Sequence, residues 1–161
     1  MILILGLISG CGNGMHQNFE KCEKEIDKRF PSAEVSYPEN YDSLCMQETL
    51  NNITFPRITP SYAVLHFNKF YKKSAIRLTM EQMNNIISIL NDTANYEWGE
   101  LGTPFFDRII TFHDDKGNCI GITKIDSYRK TYQTYSTPYN AKMKWGAMKT
   151  ENLYNVIRKI E

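Results

Sequence analysis

The chain has 161 residues, 42% hydrophobic and 23% charged, and a formal net charge of +1. That length favours one domain with a core of its own, needing neither metals nor a dense disulfide framework. The charge balance excludes an acidic solubility tail and the strongly basic surface of bulk nucleic-acid binding, and no internal repeat or low-complexity segment asks for a solenoid or a linker.

The chain opens on Met1-Ile2-Leu3-Ile4-Leu5-Gly6-Leu7-Ile8, apolar and uncharged. A bilayer-spanning helix takes about 20 apolar residues, so this run is too short to span, but it suits the apolar region of a secretory signal. Small residues follow, then a cysteine. Ile8-Ser9-Gly10-Cys11 resembles the lipobox of bacterial lipoproteins: an aliphatic residue, two small residues and the cysteine that is modified. The resemblance implies a signal peptide over residues 1–10 that is removed, a diacylglyceryl group on the Cys11 thiol, and usually an acyl chain such as palmitate on the new amine. Small side chains let an extended backbone enter a narrow peptidase cleft, and Cys11 supplies the thiolate that attacks the lipid donor. At about 0.8 kcal/mol per buried methylene, two or three acyl chains hold a protein firmly at a membrane where one does not. Gly12, in place of Asp beside the cysteine, implies by enterobacterial sorting an outer-membrane lipoprotein facing the periplasm. The pattern departs from the family in one respect: no Lys or Arg precedes Cys11. A start upstream of Met1 would supply one. The alternative makes residues 1–10 a strand or helix of the fold and Cys11 a core thiol. Polar, helix-breaking Gly12-Asn13-Gly14 favours a tether over residues 11–18.

Residues 19–161 read as a single α+β domain. Phe19, Cys22, Ile26 and Phe30 recur at spacings of three and four on a charged segment, which predicts a helix over about 17–30, stopped by Pro31. Ala33, Val35 and Tyr37 alternate with polar residues and suggest a short strand. Residues 38–60, with Pro38, Pro56 and Pro60, read mostly as loop. Stretches 61–67 and 73–78 lean to strand. Thr79-Met80-Glu81-Gln82 fits a capping box, and Met83, Ile86, Ile87 and Leu90 give a helix over 80–91. Asn95 to Pro104 is a loop in which Trp98, with Gly99 and Gly102, either rims a pocket or caps the core. A hairpin follows: Phe106 to His113 alternate, Asp114-Asp115-Lys116-Gly117 turns with Gly117 at positive φ, and the return strand runs to about Asp126. A third strand lies near 131–135. Leu153, Val156, Ile157 and Ile160 form the stripe of a closing helix, with Thr150 at its N-cap and Glu151 at its positive end. Helices segregated from an antiparallel meander of hairpins give a two-layer α+β domain, the sheet packed against two or three helices.

With Cys11 lipidated, Cys22, Cys45 and Cys119 remain, enough for one disulfide and one free thiol. Cys22 with Cys45 is the expected pair, since neither position reads as deep core. No CxxC occurs, which argues against a thioredoxin-like motif or a zinc ribbon.

The element order of 79–161, with Trp98-Gly99-Glu100-Leu101-Gly102-Thr103-Pro104 and the ITFHDDKGNCIGIT hairpin, resembles small uncharacterised envelope lipoproteins of Bacteroidetes-type bacteria. The likeness spans about half the chain and implies localisation and fold, with no chemistry.

Catalytic motifs are missing: GxSxG, a P-loop, GxGxxG after a strand and HExxH are all absent, and no cofactor is implied. His16 falls in the tether. His66 reads as a surface or satisfied core residue. His113-Asp114-Asp115 could be taken for a metal cluster, but successive strand residues face opposite sides and a turn needs Asp and Gly anyway. Charge is segregated instead. Between Thr49 and Met80 there are no acids but Arg57, Lys69, Lys72, Lys73 and Arg77, interleaved with Phe67, Phe70 and Tyr71. Between Ser127 and Thr150 there are again no acids, but Arg129, Lys130, Lys142, Lys144 and Lys149 stand among Tyr128, Tyr132, Tyr135, Tyr139 and Trp145. Arg129, Lys130, Tyr132, Tyr135, Tyr139, Lys142, Lys144 and Trp145 form a candidate ligand face for an anionic glycan, a lipid headgroup or an acidic envelope protein. The simpler reading is that Tyr and Thr pair across strands and Lys protects edges. Three functional classes follow: a non-catalytic envelope binding module, an inhibitor or immunity-type lipoprotein against a toxin or lysozyme-like enzyme, and an enzyme with an unfamiliar site.

Overall fold

The computed structural model describes residues 14–31, 39–69, 72–98, 103–127, 133–148 and 151–160. The expectations for the signal, Cys11, the strand at 33–37 and the Thr150 cap lie outside them.

Period-two alternation builds the middle of the chain. β1 (Tyr62–Lys69), β2 (Lys72–Arg77), β3 (Arg108–His113), β4 (Cys119–Asp126) and β5 (Gln133–Thr137) form one antiparallel sheet in the order β2-β1-β3-β4-β5. The α+β class expected from the sequence is the one observed. Register sorts the side chains. Leu65 lies opposite both Ile76 and Ile110, Ile110 opposite Thr123, and Thr123 opposite Ser136, so these share one face. Val64, Thr111, Ile122 and Thr137 form a row on the other.

The first face carries the main core. Leu65, Phe67, Ile110, Phe112 and Ile125 pack on Met83, Ile86 and Leu90 of α3 (Met80–Asn91) and on Leu153 and Ile157 of α4 (Asn152–Arg158). Leu90 and Phe112 are fully buried, and such side chains each contribute about 1.5–3 kcal/mol relative to exposure. The α3 capping box forms as predicted: Gln82 N–H donates to Thr79 Oγ1 at 3.2 Å and Thr79 N–H to Gln82 Oε1 at 2.9 Å. Asn91 fastens the preceding loop. Its Oδ1 accepts from Phe55 N–H at 2.7 Å and its Nδ2 donates to Phe55 O at 2.6 Å. Phe55 then meets Phe112 edge-on, with ring centroids 5.3 Å apart.

The second face carries α1 (Gly14–Arg29), whose Ile26 packs on Ile109 and Ile122 with Phe19, Cys22 and Phe30 around them. A third layer therefore replaces the two expected. α1 also starts inside the predicted tether of 11–18. α2 (Tyr41–Leu50) lies in the stretch expected to be loop. It has no apolar stripe to announce it: Met46 and Leu50 are 65% and 71% exposed, and its buried member is Glu48, whose Oε1 accepts from Ala141 N–H at 2.9 Å. β5 (Gln133–Thr137) overlaps the strand read near 131–135, of which 131 and 132 lie outside the described residues. At α4 the N-cap position is Glu151, with no side-chain cap bond. The hairpin turn agrees with expectation, Gly117 having φ +82°. Gly146, in a 3-10 helix over Ala141–Gly146, has φ +86°, and a Cβ there would stand 1.6 Å from Thr134 O, so the position excludes any side chain.

Candidate functional site

α1 runs over the β3–β4–β5 part of its face and leaves a groove beside β1. Tyr62 opposite His113, Val64 opposite Thr111, and then His66 floor it. With Phe19, Cys22 and Cys119 as the wall, the cavity measures about 330 Å³, within the size range of small-molecule pockets. Phe19 of α1 meets the His66 ring edge-on at 5.0 Å, and His113 stacks on Tyr62 at 4.7 Å. The Arg77 guanidinium lies 4.4 Å from the Tyr62 ring centroid.

Two histidines 47 positions apart in sequence converge on one hydroxyl. Thr111 Oγ1 is 3.1 Å from His66 Nε2 and 2.9 Å from His113 Nε2. The tautomers follow from the partners. His113 Nδ1 faces Gly117 O at 3.4 Å, and a carbonyl only accepts, so Nδ1 carries the proton. His113 Nε2 then accepts from the Thr111 hydroxyl, and the Thr111 oxygen accepts from His66 Nε2–H. That leaves His66 Nδ1 without a proton, and it is buried without a partner. Burial pulls the His66 pKa below the ordinary histidine value, and the neighbouring His113 lowers it further. Burial lowers His113 too, against the opposing pull of the Gly117 carbonyl and the Asp114 carboxylate. Both rings are therefore neutral near pH 7. Thr111 is only 4% exposed, and its hydroxyl links the two rings.

The groove is bordered by a disulfide, and it is not the expected one. Cys22 is bonded to Cys119, with Cα atoms 6.0 Å apart, while Cys45 is free. Cys22 belongs to the sheet-facing stripe of α1, and Cys119 begins β4 beneath it, where the register shifts between Phe112 and His113. Cys45 sits on α2 in contact with Tyr41, and burial pushes its thiol pKa up.

The members of the predicted ligand face that lie among the described residues do not share one surface. Arg129, Lys130 and Tyr132, and the side chain of Trp145, lie outside the described residues. Tyr135 is 44% exposed on the α1 side of the sheet, 6.0 Å from the Lys124 ammonium, which pairs with Glu23 at 2.7 Å. Tyr139 packs against the opposite core. Lys144 donates to Tyr96 O at 3.3 Å and lies 5.8 Å from the Tyr41 ring, and Tyr41 meets Trp98 edge-on at 5.1 Å. Lys142 is half-buried nearby, acting on Cys45. Arg57 joins the two acid-free stretches at one point, through Tyr139 O at 3.4 Å. The Asp114 carboxylate is spent on the turn. It accepts from the backbone N–H of Lys116 and Asn118 and from Asn118 Nδ2, which holds its pKa low. Among the described residues, no group of three or more His, Cys, Asp or Glu could hold a metal.

No protein-family model matches the chain, and neither characterised proteins nor solved structures yield a match. Fold and groove define the class on their own: an α+β domain whose antiparallel sheet is covered on one face by a packed core and on the other by one stapled helix.

Proposed function

We propose that the chain is an exported, lipid-anchored envelope protein whose domain acts by binding rather than by turnover. The Cys22–Cys119 disulfide carries this reading, because a structural disulfide joining distant parts of a fold persists in oxidising compartments and is rare where thiols are kept reduced. The lipobox-like Ile8-Ser9-Gly10-Cys11 supports the same compartment independently. α1 begins at Gly14, three positions after Cys11, so an acylated Cys11 would tie the membrane to the helix that walls the groove. Binding rather than catalysis is supported by the groove itself. Its neutral imidazoles, aromatic rings and disulfide offer contact surface, and its hydroxyl is buried. Lys144 over the Tyr41 ring, with Lys142 acting on Cys45 of the same helix, suits a partner with negative charge, an acidic envelope protein or an anionic glycan or lipid headgroup.

The test is intact mass and detergent partitioning of the protein from its native host, wild type beside Cys11→Ser. The expected result is loss of residues 1–10 with a gain of acyl mass, both abolished in Cys11→Ser. An unprocessed, water-soluble wild type contradicts the proposal.

A further inference from the structure

We propose that His66, Thr111 and His113 form an acid-released latch, which holds the N-terminal turns of α1 on the sheet while both imidazoles are neutral and frees them when His66 takes a proton.

With two neutral rings every N–H and O–H of the trio has an acceptor, and only the His66 Nδ1 lone pair is left over; a cation on either ring leaves a donor without one. A proton on His66 must go to Nδ1, which is buried and has no acceptor. A buried N–H without a partner costs about 1–3 kcal/mol, more when charged. A proton on His113 must go to Nε2, which then points a second N–H at Thr111 Oγ1 while the hydroxyl loses its own acceptor. Charges around the pair do not rescue His66. β1 offers Tyr62 and Val64; β2 offers Ala75, opposite His66, and Arg77, whose cation is against Tyr62; β4 offers Cys119. From α1 come Phe19 and Cys22. Glu23 of that helix is bound to Lys124, and Asp27 also interacts with Lys124. Among the described residues Asp114 is the carboxylate that acts on the pair; it favours a cation on His113, and Arg29 of α1 in turn acts on it.

The release has a defined hinge. Residues of α1 beyond Cys22 are held by the disulfide, by Glu23 on Lys124 and by Ile26 in its small core. Residues before Cys22 lie beyond those holds, and Phe19 rests on the ring that would charge. Undocking this segment exposes His66 Nδ1 to water and widens the groove without unfolding the sheet.

The full, oxidised chain tests this by NMR titration of the histidine rings and of the α1 amides. Both rings of the groove are expected to titrate below the ordinary histidine value of about 6.5, and amides of 15–21 to move with the midpoint of His66. Between the docked pKa of His66 and its ordinary value, opening of that segment grows about tenfold per pH unit as pH falls, the slope of one linked proton. His66→Phe fills the site without titrating, and His66→Gln keeps an amide donor for Thr111; both abolish the response of 15–21. Amides that stay fixed in the wild type, or that move with the same midpoint in both variants, overturn the proposal.

Discussion

The two faces of the sheet are built differently. On the α3–α4 side, large side chains from four strands and two helices interdigitate, and the loop at Phe55 is tied in by Asn91. On the α1 side, the buried apolar core among the described residues is Ile26, Ile109 and Ile122. A disulfide and the largely buried Lys124–Glu23 pair hold this side at further points. The first face is held by packing and is expected to open only with the whole domain. The second is held at a few points, so part of it can open alone, and that is where the histidines sit.

The largest expected effect tests the staple. The Cys22–Cys119 bond closes a loop with a sequence separation of 97, and chain entropy assigns such a loop about 4–5 kcal/mol. The double variant Cys22→Ser, Cys119→Ser should lower the denaturant midpoint accordingly. Hydrogen exchange should then show α1 opening apart from β1, β3 and α3, whereas loss of all protection together would erase the distinction between the faces. Next comes Phe112→Ala on the packed face, where a fully buried ring that meets Phe55 is lost. It should cost about 3–5 kcal/mol and destabilise sheet, α3 and α4 as one unit in urea unfolding. The smallest is Thr79→Ala, which removes one half of the α3 capping box. About 1 kcal/mol is expected, with no change in the exchange of α1.

Acid should act on one face only. A His whose folded pKa is lowered contributes stability that is full above its unfolded value and is lost as pH falls toward the folded one, because the open state binds the proton first. His66 and His113 are both of this kind. Mild acid should therefore loosen the α1 side before it touches the packed core.

Much of the packed face was legible in the sequence, because its residues repeat at the periods of strand and helix. Met83, Ile86 and Leu90 announce α3, Thr79 and Gln82 announce its start, and Gly117 marks the turn it occupies. Features fixed by distant partners were not legible. α2 has no stripe, and its buried Glu48 meets Ala141. Gly146 is required by Thr134 O. The trio had a partial signal, since Thr111 and His113 stand two apart on one strand face. His66 joins them only because β1 pairs with β3, and β2 and α3 separate those strands in the chain. Cys22 and Cys119 meet for the same kind of reason, through the docking of α1 on β4, which no cysteine spacing encodes.

The most direct test of a stapled layer on an exported domain is peptide mapping, without reduction, of the protein isolated from its native host. A peptide containing Cys22 linked to one containing Cys119 is expected, with Cys45 as a free thiol. Reduced Cys22 and Cys119, or a Cys22–Cys45 link, would contradict it.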